Sequence, residues 1–271
     1  MKLSEYASYD ATGLAELVAK GAVSAKELAL SASAAIDALN PKVNAVVERY
    51  ADRIEGLDDA TLGNGPFRGV PFLIKDIAGH LDGRTVEFGS RLCRGLVTND
   101  GDTHVGKLFK AAGLNIIGRS NAPEFSMSGA TENALYGNTS TPWREGYCAG
   151  GSTGGGGAAV ASGMVPMAHG SDIAGSIRIP ASLCGGVGLK PSRGRVPVGP
   201  KIDEGGWGLA ANFAQTKTIR DTAALLDCMS IPQPGDPFVI AKPAESYASL
   251  IRRAPPKLRI GWSAKARCRG G

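Results

Sequence analysis

Apolar residues recur at Leu28, Ala32, Ile36 and Leu39, the spacing of one helix face. Ser24-x-x-Glu27 is a capping box that opens this helix, and Asn40-Pro41 is expected to stop it. Asp10 to Gly21 reads as an earlier helix, with Asp10 as N-cap and Gly21 just past the end. The two helices form a packing layer ahead of an alternating series. Val70 to Ile77 is a nearly continuous apolar run broken only by Lys75 and Asp76, and predicts a buried strand. Asp102 to Ala112 predicts a helix stopped at Gly113, and Asn115 to Gly118 a short strand. Gly151 to Gly157 reads as a loop that opens the helix Ala158 to Ser162. Strands follow at Met164–Ala168 and Val187–Leu189, then a helix at Ile219–Met229 and a last strand at Lys257–Trp262. Strands alternating with helices imply an α/β sheet covered on both faces.

Composition changes this picture little. The chain of 271 residues is 43% hydrophobic and 20% charged, ordinary for a globular protein, and its 38 glycines lack a repeating period. The net charge of +5 comes from the end of the chain, where 251–271 holds seven Lys and Arg and no acid. No aromatic residues interleave a basic face, so nucleic acid is not an expected partner. Five scattered cysteines without a C-x-x-C pair, and three histidines, argue against zinc and against a disulfide framework. MKLSEYASYD has no apolar signal region, and no run of 18 apolar residues follows, which makes a cytoplasmic location without a membrane partner the default.

Three segments carry chemistry. The first is GVPFLIKD, where Lys75 sits inside an apolar strand. Burial lowers a lysine's pKa and makes it usable as a base, although an ion pair with Asp76 would explain it equally. The second is Gly150-Gly-Ser-Thr-Gly-Gly-Gly-Gly157. It lacks the G-K-[ST] ending of a phosphate loop, and the turn-rich TSTPWREGYC before it is not the strand a dinucleotide fingerprint needs. Gly150-x-Ser152-x-Gly154 fits a nucleophile elbow, but the only later histidine is His169 and no acid lies between them. The third is Gly170-Ser-Asp-Ile-Ala-Gly-Ser176-Ile-Arg178, whose small residues can let backbone amides converge ahead of Ser176. Together they supply a lysine, a glycine-loop serine and a serine beside an amide nest.

The run GGSTGGGGAAVASG through MVPMAHGSDIAGSIRIPASLCGGVGLKPSRGRV, with GVPFLIKD and GRSNAPEFSMSGATEN, resembles the amidase-signature family. That resemblance implies an α/β fold with a mixed central sheet between helical layers, occupying residues 1–264 as one domain. It implies hydrolysis of a carboxamide with Lys75 as base, Ser152 as bridge and Ser176 as nucleophile. The amides of Ile173, Ala174, Gly175 and Ser176 would form the oxyanion hole. Asp172 and Arg178 would support that loop, and the peptide from Gly151 into Ser152 would be cis. Met127 and Ser128 would line the pocket. No metal or organic cofactor is implied, the partner being a small amide substrate, with a homodimer left open.

Two departures stand out. Ala174 replaces a common glycine, which would cost about 1 kcal/mol if that position needs a positive φ. AHGSDIAGSIRIPAS resembles the branch of 6-aminohexanoate-cyclic-dimer-hydrolase-like amidases, and points to a linear or cyclic amide. The second departure is the ending: KLRIGWSAKA resembles the family, whereas 265–271 reads as a non-family tail. The expectation is a fold cut short, as a frameshift would leave it, with poor solubility and weak or absent activity. An inactive fragment or non-catalytic subunit is the alternative.

Overall fold

The computed structural model of the chain describes residues 1–238 and 240–262. Six strands form one mixed sheet in the order β1-β3-β2-β4-β6-β5. They are β1 (Val46–Arg49), β2 (Pro71–Lys75), β3 (Asn115–Ser120), β4 (Met167–Asp172), β5 (Val187–Gly188) and β6 (Ala211–Thr216). β2 runs parallel to both neighbours, whereas β1, β5 and β6 join by antiparallel pairing. Every residue of β2, β3 and β6 is buried, as strands covered on both faces require.

The helices are α1 (Leu3–Tyr6), α2 (Ala11–Ala19), α3 (Ala25–Val43), α4 (Ala51–Ile54), α5 (His104–Ala111), α6 (Gly154–Ala161), α7 (Arg178–Cys184), α8 (Ile219–Met229) and α9 (Tyr247–Leu250). α6 lies across the sheet, where Gly156 approaches Ala168 of β4. From α5, Phe109 packs on Phe72 of β2 with ring centroids 4.6 Å apart. Asp10 caps α2 by accepting from the Gly13 amide, and Ser24 and Glu27 make both bonds of the capping box on α3.

Four elements differ from their sequence expectation. α3 runs past Asn40-Pro41 to Val43. Proline this near a helix end removes one hydrogen bond, and the Asn40 carboxamide holds the exit by accepting from the amides of Ala45 and Val46. Gly154 to Gly157 are helical, not a loop before the helix, because bare backbone is what fits there. β4 begins at Met167 and runs to Asp172, so polar His169 and Ser171 are strand residues that hydropathy alone passes over. KLRIGW forms no strand: residues 257–262 are exposed and pair with nothing among the described residues. A strand is stable only against a neighbour. The SAKARCRGG ending lies outside the described residues.

Candidate active site

Lys75 is the last residue of β2 and is only 1% exposed. Its Nζ lies 2.8 Å from Ser152 Oγ and 3.0 Å from Ser171 Oγ. Burial pushes its pKa down to about 7, with the Asp172 carboxylate opposing. The ion pair with Asp76 is not made. Asp76 bonds Arg119 of β3 and accepts from the amides of Glu87 and Gly89. Arg119 also meets Glu48 at 3.0 Å and Glu87 at 2.9 Å. The lysine is thus left to the serines.

Ser152 stands in the turn just before α6, buried, after a cis Gly151–Ser152 peptide. Close packing fixes this turn. A side chain at Gly151 would come within 2.6 Å of the Ser128 carbonyl oxygen. Thr131 Oγ1 donates to the Gly150 carbonyl at 2.8 Å and accepts from the Gly154 amide at 3.0 Å. Ser128 is exposed at the surface beside this turn, and Met127 is 86% exposed.

Ser176 is half-buried in the turn between β4 and α7. Its carbonyl accepts from the Thr153 amide at 3.1 Å, which ties its turn to the Ser152 turn. The Ser152 and Ser176 hydroxyls make no mutual hydrogen bond among the described residues. Such contacts are commonly loose before substrate binds. Asp172, at the end of β4, organises the turn. Its carboxylate accepts from the amides of Gly175 (2.7 Å), Ile177 (3.1 Å) and Arg178 (3.3 Å). The Arg178 guanidinium grips both Asp172 oxygens at 2.9 Å. These bonds hold the Asp172 carboxyl below the usual range against the opposing effect of burial. The Gly175 amide is therefore engaged, and the amides of Ile173, Ala174 and Ser176 are the ones without a partner among the described residues. The positive φ of the turn, 127°, falls on Gly175 and not on Ala174, so alanine brings no strain there.

Sequence reasoning missed Ser171, Thr131 and His169. All three lie inside the segments that carry the resemblance, but nothing in those segments singles them out. Strand placement was the available signal for Ser171 and His169, since both sit in the polar part of β4. Among the described residues no cluster of three His, Cys, Asp or Glu is placed to hold a metal ion.

The fold and this arrangement belong to the class of amidase-signature α/β structures. The solved structure of a 6-aminohexanoate cyclic dimer hydrolase complexed with substrate matches with a TM-score of 0.87 and 39% identity, over 93% of this chain and 53% of that one. A bacterial aryl acylamidase of the amidase-signature family matches with a TM-score of 0.80 and 29% identity, over 89% and 51%. Among curated proteins, the 6-aminohexanoate-cyclic-dimer hydrolase of Paenarthrobacter ureafaciens is 40% identical across 258 residues, 93% of this chain and 51% of that protein. The chain thus spans about half the length of the curated relatives it matches. The Amidase family model matches residues 27–269, and the chain belongs to the Amidase family.

Proposed function

We propose that this chain carries the machinery of carboxamide hydrolysis through a Ser176 acyl-enzyme, with Ser152 and Lys75 as its proton relay. The observation that carries the reading is the buried Lys75 Nζ, 2.8 Å from Ser152 Oγ and free of any carboxylate partner among the described residues. A lysine with a pKa of about 7 is partly neutral at physiological pH. Its lone pair accepts the Ser152 proton as Ser152 Oγ takes the proton of Ser176. Ser176 Oγ then bonds the amide carbon, and negative charge forms on the carbonyl oxygen. The partnerless amides of Ile173, Ala174 and Ser176 suit that oxyanion. When the intermediate collapses, the C–N bond breaks and the relay returns the proton to the departing amine. Water, deprotonated by the same relay, releases the acid.

For substrate we infer a linear or cyclic amide; the 40% identical relative is named a hydrolase of the 6-aminohexanoate cyclic dimer. Half-exposed Ile173, Ile179 and Leu183 give the rim of the site an apolar character suited to such a substrate. A fluorophosphonate probe tests the reading on purified, folded protein. Labelling that is lost in Ser176→Ala is the expected result. A folded sample that never labels is the fragment without turnover, and sinks the proposal.

A further inference from the structure

β2 and β4 are registered neighbours at only two positions, Phe72–Met167 and Leu73–Ala168. Two residues later, at Lys75, a side chain takes the place of the missing ladder. The Lys75 main-chain N–H donates to His169 Nδ1 at 3.3 Å. A backbone amide can only donate, so Nδ1 must accept and the ring proton sits on Nε2. Nε2 then donates to Asn212 Oδ1 of β6, 3.3 Å away. The ring is enclosed on its other sides. Phe109 of α5 meets it at 5.5 Å between centroids, edge to face. A Cβ at Gly79 would stand 2.6 Å from His169 Cε1, so glycine there lets the chain after β2 press on the imidazole. His169 is fully buried, and burial beside Lys75 lowers its pKa to about 3, which keeps it neutral in any working buffer.

We propose that His169 is a positioning residue for Lys75. The imidazole replaces a strand neighbour where β2 parts from β4, and by holding the Lys75 main chain it sets where Nζ meets Ser152 and Ser171. This rests on the reading of Lys75 as base. A lysine has four rotatable side-chain bonds, so its amine is only as well placed as its Cα. A misplacement of about 1 Å at a reacting group can cost on the order of a hundredfold in rate.

The titratable and charged groups facing the pair are few. Asp172 of β4 acts on Lys75, and His80, after β2, acts weakly on His169. Asp76 is taken by Arg119 of β3. The neighbours from α5, β6 and the turn before α6 are Phe109, Asn212 and Ser152, none of which titrates in this range.

The test compares His169→Asn, whose carboxamide oxygen can stand where Nδ1 stands, with His169→Gln, whose longer side chain reaches Asn212 but leaves the Lys75 amide without its acceptor. Protein labelled with ¹³C at lysine Cε is titrated by NMR, with the Lys75 signal assigned by its absence in Lys75→Met. Wild type and His169→Asn should titrate alike near the depressed value. His169→Gln should titrate about one pH unit higher, with kcat lowered about tenfold and KM little changed. His169→Leu should follow His169→Gln; if it fails to fold, the Asn–Gln pair still decides. A His169→Gln protein with wild-type titration and wild-type kcat overturns the proposal, as does His169→Asn behaving like His169→Gln. If Lys75 shifts as expected while Ser176 resists the fluorophosphonate, positioning stands and the hydrolase reading falls.

Discussion

A buried ammonium with no carboxylate in ion-pair contact is a burden to the folded state, and Lys75 carries that burden among the described residues. An unfolded lysine titrates near 10.4, the folded one about 7. Between those values the unfolded chain holds a proton that the folded chain lacks. Stability therefore falls as pH drops from about 10 to about 7, and the loss is complete below that. Lys75→Met removes the group. Its unfolding free energy in urea should exceed that of wild type by an amount growing across this window, on the order of a few kcal/mol. A difference constant with pH would show that Lys75 is not neutralised by burial. Neighbouring Asp76 shows the contrasting case. It is wholly buried, yet Arg119 and two backbone amides satisfy it. Adjacent residues, the last of β2 and the first beyond it, thus have opposite fates. The sequence marked Lys75 as anomalous, but not Arg119, whose three carboxylate partners Glu48, Asp76 and Glu87 come from distant segments.

At the scale of elements, the glycine run of α6 separates backbone freedom from backbone proximity. All four glycines are helical, so none is needed there for a positive φ. Gly155 instead lies against main chain, where a Cβ would come within 2.4 Å of the Asn121 nitrogen and 2.6 Å of the Ala45 oxygen. Gly156 has no main-chain atom so close: a Cβ there would meet Thr153 Cγ2 at 3.0 Å, Ala168 Cβ at 3.4 Å and the His169 carbonyl oxygen at 3.5 Å, an ordinary contact. Alanine gains about 1 kcal/mol over glycine in a helix interior. Gly156→Ala should therefore be nearly neutral in chemical denaturation, while Gly155→Ala should lose roughly 1–3 kcal/mol or more through overpacking. Equal effects at the two sites would refute proximity as the reason for the run. The same distinction explains what was legible. Ile219–Met229 was readable to the residue, because an N-cap and an amphipathic face are local signals. The glycine helix and the polar half of β4 were not, since a Gly run and a His-Gly-Ser-Asp string acquire their states from neighbours far along the chain. Lys75, Ser152 and Ser176, the residues of the proposed relay, stand in segments with a recognisable pattern, whereas the imidazole that accepts from the Lys75 amide has no such signal.

Over the whole molecule, the sheet closes unevenly. β1 is a short antiparallel edge, and β5, at the other edge, has two residues. Beside β5 an open groove runs between α8 and residues 247–256, with apolar lining from Val187, Leu189, Ile219, Leu226, Tyr247 and Leu250. KLRIGW has the pattern of a strand but pairs with neither edge among the described residues, and an unpaired strand pattern does not by itself specify a conformation. The centre of the sheet is different. Lys75 and Ser152 meet across 77 residues of chain, on segments flanking the shared boundary of β2 and β4.

That sequence distance has a kinetic consequence. Helices regain their local bonds early, whereas contacts between remote segments wait for the intervening chain to be ordered. During refolding from urea, far-UV helicity should return before Ser176 becomes reactive toward the fluorophosphonate. Simultaneous recovery of the two signals in stopped-flow and quenched-labelling runs would show that the lysine–serine contact forms with the helices. With the expected order, phosphonate reactivity becomes a clock for the last event of assembly, the moment when β2 and β4 are seated side by side.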